Sequence, residues 1–142
     1  MTPGLTGSGP LNTWATGTVK LSAYTVPADA TATATVGGAA ASATVTVPGQ
    51  RASFSFAGTA GQNVNLVLAV PNPGNAINSF AVINPDGSFL VNWVATYWNY
   101  TPELALTQTG NYVIEVAPLL TGSGSPLLWG TGTFSATLSL GS

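Results

Sequence analysis

The stretch Pro48-Gly49-Gln50-Arg51-Ala52-Ser53-Phe54-Ser55-Phe56-Ala57-Gly58-Thr59-Ala60-Gly61-Gln62-Asn63-Val64-Asn65-Leu66-Val67-Leu68 decides the fold class. Phe54 and Phe56 fall on one side of an alternating run, and Val64, Leu66 and Leu68 on one side of the next. Apolar and polar residues exchanging at period two are the mark of a strand with one dry and one wet face. Pro48-Gly49 turns the chain into the first run, and the glycines at 58 and 61 turn it into the second. Two strands joined by a short turn are expected, anchoring a core.

The same period extends outward in both directions, and no stretch carries a helical one. Upstream, residues 18–26 alternate Val19, Leu21 and Ala23 with Lys20, Ser22 and Tyr24, and Pro27-Ala28-Asp29 ends that strand. Residues 31–36 and 41–47 flank Gly37-Gly38, a pair suited to the positive φ of a two-residue hairpin turn. Downstream, Pro71-Asn72-Pro73-Gly74-Asn75 reads as a loop and 79–83 as a short strand. Asn84-Pro85-Asp86-Gly87 has Pro and Gly where a type I turn favours them. Strands follow at 88–94, 103–106, 111–117 and 131–140, with an aromatic loop after the first. Strands of this number and spacing, about nine or ten, predict an all-β antiparallel sandwich. The expected core is Phe54, Phe56, Val64, Leu66, Leu68, Leu104, Leu106, Tyr112, Ile114, Val116, Phe134 and Leu138, with Leu140 on the same apolar face.

The strongest organisational signal is an internal repeat. At a constant offset, Leu5, Thr6, Gly7, Ser8, Gly9, Trp14, Thr16, Gly17 and Thr18 match Leu120, Thr121, Gly122, Ser123, Gly124, Trp129, Thr131, Gly132 and Thr133. The strand phase also agrees, with Val19 and Leu21 aligned to Phe134 and Ala136. Residues 1–26 therefore read as an N-terminal extension whose strand duplicates the C-terminal one, and residues 27–142 as the sandwich domain. The duplicate fits two equivalent strands in one domain, a neighbour's strand in a tandem array, or a strand lent to the next copy.

Composition bounds the function. Of 142 residues only 4% are charged, against roughly 25% in ordinary soluble domains. The bases are Lys20 and Arg51, and the acids Asp29, Asp86, Glu103 and Glu115. Two bases cannot neutralise a run of phosphates or grip an anionic bilayer, so neither nucleic acid nor membrane insertion is expected. No basic or apolar leader pattern opens the chain, and no uninterrupted apolar run approaches roughly 18 residues. Absence of Cys and His removes the usual zinc, haem and iron–sulfur ligands and every nucleophile built on a histidine base. No cofactor or metal is expected.

The 48–64 stretch also resembles the bacterial pre-peptidase C-terminal domain, in the form that recurs in tandem in large secreted or surface proteins. Asn84-Pro85-Asp86-Gly87-Ser88, Thr109-Gly110-Asn111-Tyr112-Val113-Ile114 and Gly130-Thr131-Gly132-Thr133-Phe134 carry the likeness further, over about residues 15–140. These motifs are mostly turn chemistry. The resemblance implies a jelly-roll-like, non-catalytic domain outside the cell, used for attachment, display or substrate binding. Some related accessory domains bind calcium through clustered carboxylates. Here the acids are scattered and Ala117 stands where that family often has Asp, so no metal site is carried over.

Asp29 and Asp86 read as turn residues, and Glu115 as part of a solvated strand face, paired with Lys20 or Arg51. The pair Glu103 and Glu115 is too weak a signal for a glycosidase. Trp93, Tyr97, Trp98 and Tyr100 form the one concentrated aromatic patch. It suits a contact between subunits or a capped sandwich end first and a polysaccharide platform second. Asn99-Tyr100-Thr101 is a formal glycosylation sequon. A surface so poor in charge has little to repel its own copies. The expectation is a non-catalytic structural unit of an extracellular or cell-surface prokaryotic fibre or repeat array. Its partner is itself, through an assembly strand carrying Val19, Leu21 and Ala23. The alternative is a carbohydrate- or surface-binding module of a secreted enzyme.

Overall fold

The computed structural model describes residues 25–71, 76–118 and 130–142, together with 17, 18, 20, 21 and 23 and the backbone of 5–6 and 13–14. A two-stranded ribbon pairs β1 (Leu5–Thr6) with β2 (Thr13–Trp14). The remaining strands are β3 (Ala30–Thr33), β4 (Ala41–Val45), β5 (Ala52–Gly58), β6 (Asn63–Ala69), β7 (Asn78–Ile83), β8 (Phe89–Thr96), β9 (Glu103–Ala105), β10 (Gly110–Pro118) and β11 (Gly132–Leu140). They form a five-stranded sheet, β3-β5-β10-β7-β8, and a four-stranded sheet, β4-β11-β6-β9. The fold is an all-β sandwich.

Its core follows from the alternation. Ser53 and Ser55 face out of β5 while Phe54 and Phe56 are buried, and Val64, Leu66 and Leu68 of β6 meet them from the other sheet. All twelve expected core residues are buried, joined by Phe80, Val82, Val45 and Ala136. At roughly 1.5–3 kcal/mol for each large side chain withdrawn from water, this cluster is the main stabilising element. Phe56 and Tyr112 stack across the β5–β10 pair with ring centroids 5.3 Å apart.

Three expectations need correction. Gly37-Gly38 does not make a hairpin, since β3 pairs with β5 and β4 with β11. The turn is real, with the Gly38 N–H donating to the Thr35 carbonyl at 2.9 Å and Gly37 at φ +78°, but it carries the chain from one sheet to the other. The chain leaves β3 through that corner, and β3 runs parallel to β5 in an otherwise antiparallel set of strand pairs. Leu140, at the last position of β11, is exposed. Finally, residues 17, 18, 20, 21, 23, 25 and 26 are in no strand, having no ladder partner among the described residues.

The hairpin at Asn84 forms as the sequence indicates. The Asn84 N–H donates to the Ser88 carbonyl at 2.8 Å, the Gly87 N–H to the Asn84 carbonyl at 2.9 Å, and Gly87 sits at φ +87°. The Asp86 carboxylate then accepts from the Ser88 N–H and hydroxyl and from the Gln108 side-chain amide.

Candidate functional site

The aromatic residues singled out from the sequence collect at the β8 side of the sandwich, in different roles. Edge strand β8 carries two register shifts against β7, one between the partners of Phe80 and Val82 and one between those of Val82 and Ile83. Each inserts an extra residue and breaks the two-residue period. Apolar side chains therefore emerge on both sides of β8, and Phe89, Trp93 and Val94 are all exposed.

Trp93 is held on the outer face of the five-stranded sheet. The Arg51 guanidinium lies over its ring, 5.8 Å from the centroid, and also approaches the Glu115 carboxylate at 3.9 Å. Glu115 stands between Ser53 of β5 and Ala81 of β7 in the register. Of the two partners weighed for Glu115, the structure selects Arg51. Both side chains are substantially exposed, so the pair is worth about 0–1 kcal/mol. Its consequence is steric: one face of the indole is already covered.

Tyr100 serves the fold. Its backbone exchanges hydrogen bonds with Leu68 at 2.8 and 3.0 Å, tying the loop to β6, and its ring stacks on Phe80 of the opposite sheet at 5.3 Å. The Asn99 side-chain oxygen accepts from the Val70 N–H at 3.1 Å. Tyr97 and Trp98 remain as the projecting pair, Trp98 with 64% of its surface exposed. The Trp98 N–H is anchored by the Thr96 hydroxyl at 3.0 Å. The structure thus brings Trp93, Tyr97 and Trp98 to the surface at one side and turns Tyr100 inward.

Of the assembly-strand residues, Val19 lies outside the described residues. Leu21 is 91% exposed, and Ala23 is exposed as well. The arm is rooted firmly where it joins the sandwich. Buried Gln50 donates from its amide to the Ala28 carbonyl at 2.8 Å and accepts from the Thr46 N–H at 2.8 Å, while Asp29 accepts from the Arg51 N–H at 3.1 Å. This clamp was not foreseen from the sequence. A lone Gln after a Pro-Gly turn gives no sign that it will be buried.

The carboxylates do not converge. Glu103 faces outward from the four-stranded sheet and Glu115 outward from the five-stranded one. Packed sheets lie about 10 Å apart, so two outer-face groups are separated by more than the ~5–9.5 Å that glycoside hydrolysis requires. Among the described residues no three acids gather as a metal site would require.

No family model matches this sequence, and no curated protein matches it. Among solved structures, the chain is similar to PliG of Aeromonas hydrophila, a periplasmic inhibitor of g-type lysozyme, with a TM-score of 0.48 and 17% identity over 78% of this chain and 98% of that one. It is also similar to the pre-peptidase C-terminal domain of a collagenase from Bacillus anthracis, with a TM-score of 0.45 and 9% identity over 82% of this chain and 99% of that one.

Proposed function

We propose that this chain is a non-catalytic structural unit of an extracellular prokaryotic fibre or surface array, and that its copies join head to tail through a donated strand. One observation carries the reading: two segments related by the internal repeat, with the same strand phase, are in opposite states. The C-terminal copy, β11, is paired on both sides, between β4 and β6. The described residues of the N-terminal stretch aligned with β11 (17, 18, 20, 21 and 23) lie in no strand, with Leu21 and Ala23 in water. A segment that repeats the pattern of a central strand is matched to a sheet edge, and an edge binds such a segment through its main chain. The near absence of charge removes the usual repulsion between copies.

A second reading rests on Tyr97 and Trp98, whose exposed aromatic surface at a loop suits a polysaccharide platform. One experiment separates the two. Electron microscopy and light scattering of the full chain should show linear oligomers growing with concentration, while pull-down on insoluble polysaccharide should leave it in solution. Trp98→Ala should weaken oligomers if the patch is a contact between copies. If the chain stays monomeric and Trp98→Ala abolishes polysaccharide retention, the second reading replaces the first.

A further inference from the structure

We propose that the acceptor is the free edge of the four-stranded sheet along residues 100–106, and that residues 18–23 of a second copy add beside β9 with Lys20 opposite Glu103. This rests on the self-assembly reading above and names the place where two copies meet.

The edge is longer than β9 itself. From Tyr100 to Leu106 the chain tracks β6 continuously: Tyr100 bonds Leu68, the Pro102 carbonyl accepts from Leu66, and the Leu106 N–H donates to Gln62. In a strand, alternate residues direct their N–H and C=O groups to opposite sides. With Pro102 and Leu106 bonded to β6, Glu103 and Ala105 direct theirs to the open edge. The five-stranded sheet also has one strand more than its partner. Val91 and Val94 pair with Val82 and Phe80 and so share their inner face, yet Val94 is 36% exposed. A fifth strand beside β9 covers that side.

Side-chain phase and charge agree with this placement. Leu104 points inward and Glu103 outward. An added strand with Leu21 and Ala23 inward puts Lys20 outward, on the face of Glu103. The other acids are engaged within the chain: Glu115 with Arg51, Asp29 with the Arg51 N–H, and Asp86 with Ser88 and Gln108. Among the described residues, Lys20 and Glu103 enter no ion pair and are opposite in charge. The β8 edge is a poorer acceptor, since its two bulges interrupt the ladder.

The direction of growth follows from where the arm leaves. Its root at Ala28 lies beside β3, and β3 and β4 pack together at one side of the sandwich. The acceptor lies at the other, with β8 and β9 at the far ends of their sheets. Donor and acceptor on opposite sides make a heterologous contact that does not close, so it propagates as a filament.

The chain has no cysteine, which permits a direct test. A Lys20→Cys chain mixed with a Glu103→Cys chain under mild oxidation should yield the mixed disulfide dimer several-fold in excess of either homodimer. Facing positions on adjacent strands are about 4.5–5.5 Å apart at Cα, within disulfide range. Lys20→Cys mixed with Asn92→Cys, on the β8 edge, should yield little. In parallel, Lys20→Glu and Glu103→Lys should each raise the concentration at which assembly begins, by up to about 5-fold for an exposed pair, and the double exchange should restore it. Cross-linking to Asn92→Cys, or charge reversals without effect in a chain that still assembles, overturns this acceptor and leaves self-assembly standing. A wild-type chain that is monomeric at every concentration overturns both.

Discussion

The Tyr112 hydroxyl closes on the backbone of Gln108, donating to its carbonyl at 2.7 Å and accepting from its N–H at 2.9 Å. The ring that carries it is fully buried against Phe56. One side chain therefore fills the core and satisfies both polar groups of the turn before β10. Tyr112→Phe keeps the packing and leaves those two groups without the hydroxyl. A loss of about 1–3 kcal/mol is expected, seen as a lower denaturation midpoint with an unchanged slope in denaturant titration.

The sequence shows Tyr112 as a core residue by its phase with Ile114 and Val116, and it shows nothing of the bond to Gln108. That division holds across the fold. Burial is legible because each sandwich layer has one dry face, which imposes the two-residue period on every paired strand. The partner of a strand is not legible: Thr/Ala alternation around Gly37-Gly38 looks the same at a hairpin and at a corner between sheets. The cluster of Arg51, Trp93 and Glu115 joins residues far apart in sequence, and only the order of strands in the sheet brings them together. At β8 the strand is legible, but the bulges erase the period, so which of its apolar residues are exposed is not. Residues 18–26 have the period of a strand, yet the described ones among them lie in no strand.

The second prediction concerns pH. Hydrogen bonds from the Ser88 hydroxyl and N–H, and then from the Gln108 amide, hold the Asp86 carboxyl below its ordinary value of 3.8. A carboxylate stabilised in the fold binds its proton more weakly there than in the unfolded chain. Its contribution is complete above the unfolded value and is lost as pH falls through the lower folded value. Thermal melts should therefore show a decline beginning near pH 4 and deepening below it. Asp86→Asn, which cannot ionise, should flatten that decline while lowering stability at neutral pH.

Gly58 ends β5 against the core, in ordinary strand backbone. A methyl group there would run into the Leu106 side chain and meet the Tyr112 ring at 3.0 Å. Replacing glycine gains about 0.4–1 kcal/mol by restricting the unfolded chain, whereas overpacking a well-filled core costs about 1–3 kcal/mol. The second effect wins. Gly58→Ala should lower the melting temperature, and Leu106→Ala in the same chain should cost less than it does alone, because the shortened side chain makes room for the methyl.

Deleting residues 1–26 separates the stability of the sandwich from its assembly. Every strand of the two sheets lies between Ala30 and Leu140, and the buried cluster begins at Ala34. The Gln50 clamp on Ala28 survives the cut, as does the bond from the Ala30 N–H to the Arg51 carbonyl. Among the described residues, the cut removes the exposed Lys20, Leu21 and Val26 and the backbone ribbon of β1 and β2. Surface changes of this kind typically alter stability by less than about 0.5 kcal/mol, so the shortened chain should melt within a few degrees of the full one. It should also sediment as a monomer where the full chain forms oligomers, and a synthetic peptide of residues 16–26 should bind its open edge. Normal filaments from the shortened chain would remove the arm from the assembly mechanism, and a collapsed melting temperature would make it part of the domain.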